Sequence, residues 1–101
     1  MEIQFNLDKQ VMKQLGIKAA VLLAELKTQK TKVIENGGFY KEGFFIMPWG
    51  EIEKETSLSK SLQKKNLDIL VSAGLLESKV VLDEDTRTQV KVVDKEETLN
   101  D

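Results

Sequence analysis

Residues 17–26 run Ile-Lys-Ala-Ala-Val-Leu-Leu-Ala-Glu-Leu, and eight of these ten are apolar. Wound as a helix, they place apolar side chains on every side, so the segment has no face to give to water. The run is too short to cross a bilayer, which needs about 20 apolar residues. It is therefore predicted to lie at the centre of a protein core, with the rest of the chain wrapped round it. The 101 residues, 41% hydrophobic and 32% charged, supply one ordinary folded domain rather than a disordered chain. Lys27, Lys30 and Lys32 follow, where the C-terminal dipole of this helix is expected to favour cations.

The residue types that are missing exclude much chemistry. There is no Cys and no His, so disulfides, Cys/His zinc sites, thiol catalysis and histidine acid–base catalysis are all ruled out. Glu51, Glu53 and Glu55 are predicted as solvated helix-surface carboxylates, and of them only Glu51 and Glu55 share a face. Asp83, Glu84 and Asp85 lack the spacing of a calcium loop and are expected to form a solvated turn. No Gly-rich phosphate loop or nucleophile elbow is present. The expectation is a binding protein, not an enzyme, with no metal and no cofactor. The start, Met1-Glu2-Ile3-Gln4, lacks the basic and apolar regions of a secretory signal, which predicts a cytoplasmic protein with no membrane partner.

Along the chain, Ile3, Phe5 and Leu7 alternate with polar residues and suggest a short strand. Asn6 or Asp8 is placed to cap a helix that runs to Leu15 and closes at Gly16. After the central helix, Asn36-Gly37-Gly38 marks a turn. Residues 44–47 form a predicted strand ended by Pro48, the only proline, which suits the start of a helix. That helix continues through about Glu55 and is interrupted at Ser57, after which Ser59 caps another that stops at Gly74. Leu76, Val80 and Leu82 then fall on one face of a strand, with Glu77, Lys79 and Val81 on the other. Residues 83–87 read as a polar loop, and Val90 and Val92 as the inward face of a return strand. Residues 1–93 are one expected domain and residues 94–101 an acidic tail.

At about 100° per residue, residues 61–74 divide into two arcs. Leu62, Gln63, Asn66, Leu67, Ile69, Leu70, Val71 and Ala73 share the wide one, while Ser61, Lys64, Lys65, Asp68 and Ser72 share the narrow one. The wide arc is predicted to pack on the core, with Gln63 as a buried, hydrogen-bonded structural residue. The narrow arc is left for a partner. Residues 57–67 contain three lysines and no acid. Lys60, Lys64 and Lys65 suit phosphates, while Ser59 and Ser61 can hydrogen-bond phosphates or base edges. With no arginine on this helix, the commonest guanine-reading fork is absent.

The Leu58-Ser59 opening, Leu67 and Leu70 seven and four residues before Gly74, and the run Gly74-Leu75-Leu76 resemble the recognition-helix signature of the winged helix-turn-helix superfamily. Residues 49–56, with Ile52 inward, are similar to the first helix of that motif. Residues 20–26, the Gly38-Phe39-Tyr40 turn and Gln63 are similar to winged-helix modules of phage and plasmid replication-organiser proteins and of DnaD-like proteins. The resemblance implies a small α+β winged helix of three or four helices with a C-terminal two-stranded hairpin as its wing. It implies double-stranded DNA as partner, with the helix starting at Ser59 in the major groove, and Arg87 as the wing's contact. The role implied is transcription regulation or replication organisation, with a homodimer and a replication or transcription protein as further expected partners.

Charge also supports an alternative. The net charge is −2, of which residues 94–101 carry −3, leaving +1 on residues 1–93. Asp83, Glu84 and Asp85 surround Arg87 with negative charge. A winged helix with an acidic wing and tail also suits a protein–protein interaction module that does not bind DNA. The aromatic cluster of Phe39, Tyr40, Phe44, Phe45 and Trp49 is expected either to pack in the core or to form a self-association surface, with Val11, Met12 and Leu15 a second candidate for that contact.

Overall fold

A computed structural model describes residues 8–37, 41–81 and 87–93. The predicted strand of Ile3, Phe5 and Leu7, the alternative cap Asn6, the turn residues 38–40, Leu82, the acids at 83–85 and the tail 94–101 lie outside the described residues.

Asp8 caps the first helix: one carboxylate oxygen accepts from the amides of Gln10 (2.9 Å) and Val11 (3.3 Å). Helix α1 spans Lys9–Leu15. Gly16 then takes φ 98° and ψ 160°, a conformation open essentially to glycine alone, which turns the chain directly into α2. Helix α2 is Ile17–Asn36 and lies against α1 and every later helix. Ala19, Ala20, Leu22, Leu23 and Leu26 are buried, as the apolar run predicts, although Ile17 at its start is exposed. The three lysines do not stand at the C-terminal dipole of α2 as expected. Gln29 and Val33 extend the Leu22–Leu26 stripe at helical spacing, and helix-compatible residues continue to Gly37, which caps the end left-handed at φ 66°. Lys27, Lys30 and Lys32 thus lie within the helix, and its last turn holds no base.

After a turn at Lys41–Gly43 come strand β1 (Phe45–Ile46), helix α3 (Trp49–Thr56) and helix α4 (Lys60–Ser72). Pro48 starts α3, and its carbonyl accepts from the Ile52 amide. Ser57 ends α3 in a left-handed conformation (φ 63°), which swings the chain into α4 within three residues. Strands β2 (Leu76–Val81) and β3 (Arg87–Val92) form an antiparallel hairpin, and β1 adds to β3, giving the order β1-β3-β2. The sheet therefore has one strand more than the hairpin, and its register pairs Phe45 with Val90 and Leu76 with Val92.

These four residues share the sheet face that meets the helices, and all are buried. With Ile52 of α3, and Leu67 and Leu70 of α4, they close the core round α2. Burying each of these side chains is worth about 1.5–3 kcal/mol. The architecture is the expected α+β class, four helices with a small antiparallel sheet ending in a hairpin, and it is compatible with a small winged helix. Two further boundaries differ from expectation. Arg87 is the first residue of β3, paired with Val81, rather than a loop residue. Ala73, assigned to the packed arc of α4, is exposed because the helix ends at Ser72.

Candidate nucleic-acid interface

The division of α4 predicted from periodicity holds at every helical position. Gln63, Asn66, Leu67 and Leu70 are buried and Leu62, Ile69 and Val71 half-buried, whereas Lys60, Ser61, Lys64, Lys65, Asp68 and Ser72 are exposed. Ser59 is half-buried, and its hydroxyl accepts from the Leu62 amide at 3.3 Å. It is thus the N-cap that fixes where the lysine-bearing turns begin. Gln63 is fully buried, and its amide nitrogen donates to the carbonyls of Trp49 (3.0 Å) and Leu58 (2.8 Å). This agrees with its predicted structural role and ties the start of α4 to the start of α3.

Lys60 and Lys64, one helical turn apart, project into a cleft of about 450 Å³ between α4 and the hairpin. Arg87 and Thr88 line it from β3, Val80 from β2, and Ile46, Met47 and Trp49 from the β1–α3 junction. Among the described residues lining it there are three cations and no carboxylate. The Lys60 ammonium lies 5.5 Å from the centroid of the Trp49 ring, in cation–π range. Ser61 and Lys65, about 100° further round the helix, face solvent beside the cleft. Asp68 takes no part in the cleft. It lines a shallow groove of about 430 Å³ with Leu15, Ile69, Ser72 and Ala73, toward the end of α1.

The structure thus gathers Lys60, Lys64 and Arg87 and leaves Ser61 and Lys65 on the adjoining surface. Sequence reasoning missed Trp49 and Val80 as parts of this surface. A tryptophan at the first position of a short helix, followed by Gly50, was the available signal, because a ring there has room to lie partly outside the core. Val80 shares a strand face with Leu76, as predicted, yet it is 58% exposed. The hairpin extends past the core, and at Val80 and Thr88 its inner face becomes a wall of the cleft.

Most described residues of the two candidate self-association surfaces pack within the chain. Phe44 and Phe45 are buried, and Phe39 and Tyr40 lie outside the described residues. Val11 is in the core, with Met12 and Leu15 packed against it. Among the described residues, no helix is long and apolar enough to cross a membrane.

No protein-family model matches the chain, and no curated protein matches it. A solved structure described as the N-terminal domain of a DNA-binding protein is similar in fold. Its TM-score is 0.72, the match covers 92% of this chain and 76% of that one, and identity is 17%. At that identity the likeness is one of fold.

Proposed function

We propose that this protein binds duplex DNA through the first turns of α4 and the base of the hairpin, and that it regulates transcription or organises replication by doing so. The observation that carries this reading is the cleft into which Lys60 and Lys64 project from successive turns of α4, with Arg87 on its hairpin side. The fold likeness to a domain of a DNA-binding protein supports it. In this reading Lys60, Lys64 and Lys65 neutralise phosphates, Ser61 hydrogen-bonds the backbone or a base edge, and Arg87 adds positive charge from the hairpin. Ser59 acts by setting the start of the helix. Lysines dominate the face, so it holds the backbone more than it reads bases. Asp68 is compatible with this arrangement because it lines a different groove.

The test is fluorescence anisotropy of a random-sequence duplex at several salt concentrations. Binding is expected to weaken steeply with salt, and the double substitution Lys64→Ala, Lys65→Ala is expected to flatten the log–log slope by about one unit per lost phosphate contact. Unchanged affinity and slope in the double variant would sink this face. A second reading, a protein-interaction module, is favoured by the mainly apolar groove of Leu15, Ile69 and Ala73 beside Asp68. No duplex binding even at low salt would select it.

A further inference from the structure

Val80 is 58% exposed although it stands on the same strand face as Leu76, which is 1% exposed. Around it in the cleft are half-buried Ile46 and Trp49, and the same cleft carries Lys60, Lys64 and Arg87. Apolar surface and concentrated positive charge are thus open to solvent in one concavity. A bare anion would use the cations and leave the apolar wall wet. A partner that alternates anionic groups with weakly polar ones would use both.

The volume of about 450 Å³ falls within the range of about 300–1,000 Å³ that holds a small molecule, enough for a nucleotide-sized piece of a chain. The Trp49 ring under the Lys60 ammonium also restricts a side chain that otherwise has many rotamers. We propose that the cleft seats the sugar–phosphate backbone of one DNA strand, its phosphates on Lys60 and Lys64 and its deoxyribose against Val80 and Trp49. Trp49 is then a positioning residue for Lys60. This inference rests on the duplex-DNA reading above and names what the apolar wall of that site contacts.

Trp49 is the only tryptophan in the sequence, so its emission reports on the cleft directly. The full chain is titrated with a random-sequence duplex and, separately, with inorganic polyphosphate, which carries the charge without the sugar. Both ligands are expected to change Trp49 emission, and Lys60→Ala to weaken both. Val80→Thr keeps the shape of an exposed side chain and is expected to weaken duplex binding about fourfold, the worth of one methyl group withdrawn from water. It leaves polyphosphate binding unchanged. Loss of both ligands alike on Val80→Thr, or of neither, overturns the sugar contact. A duplex that binds by anisotropy without altering Trp49 emission overturns the cleft assignment and leaves the DNA reading standing. Polyphosphate binding without duplex binding overturns the DNA reading, and the sugar contact with it.

Discussion

Gln63 joins two helices through one amide: its two N–H bonds go to carbonyls 14 and 5 residues earlier in the chain. Its other polar atom, Oε1, is buried without a hydrogen-bond partner among the described residues. Replacing Gln63 by Leu removes that orphan acceptor but leaves the carbonyls of Trp49 and Leu58 without this donor. The net cost is expected to be about 1–3 kcal/mol, because the buried Leu58 carbonyl is left unpaired while that of Trp49 keeps its helical bond. Equilibrium unfolding in urea measures it, and an unchanged midpoint would remove Gln63 from the joint between α3 and α4. The position of Gln63 on the wide arc was legible from helical periodicity. Its partners were not, since no local rule brings Trp49 and Leu58 to one side chain.

At the scale of elements, the start of α4 combines a capping task with a proposed binding task, and charge separates them. Ser59→Ala is expected to cost about 1 kcal/mol by removing the acceptor for the Leu62 amide. Ser59→Asp retains the cap, because aspartate is as good an N-cap as serine and its charge suits the helix N-terminus. It is expected to keep the melting temperature while weakening duplex binding most at low salt, where the added charge is least screened. A variant that keeps both stability and DNA affinity would place the binding face away from this turn.

The caps Gly16 and Ser59 were visible in the sequence, Asp8 was one of two candidates there, and Ser57 was legible only as an interruption of α3. The end of α2 was marked by the Asn36-Gly37 turn signal but not by its lysines. Ten residues beyond the apolar run stay helical because Gln29 and Val33 carry its buried stripe forward. A hydrogen bond of 2.7 Å from Gln29 to Glu25 lets those two polar side chains join the buried face. Hydropathy alone scores that continuation as surface.

Over the whole molecule, net charge and local charge point in opposite directions. The protein carries −2 overall, yet the charged side chains among the described lining residues of the cleft are all cations. The −3 on residues 94–101 offsets that cationic surface at range. Deleting residues 94–101 is therefore expected to tighten duplex binding, most at low salt, without a change in thermal stability. Weaker binding on deletion would instead make those residues part of the contact.

The sequence by itself determined which segments become helices and strands, where most of the helices start, and which side of α4 faces the core. Those outcomes depend on 3.6-residue and two-residue periodicities and on capping groups within a few residues of one another. Only the tertiary structure decided that β1 joins the hairpin, that Val80 escapes the core, and that Trp49, Lys60, Lys64 and Arg87 line one cleft. Those four residues come from three elements, and Arg87 lies more than 20 positions beyond Lys64. What unites them is the packing of α3, α4 and the sheet on one core round α2, which no pattern local to a single element encodes.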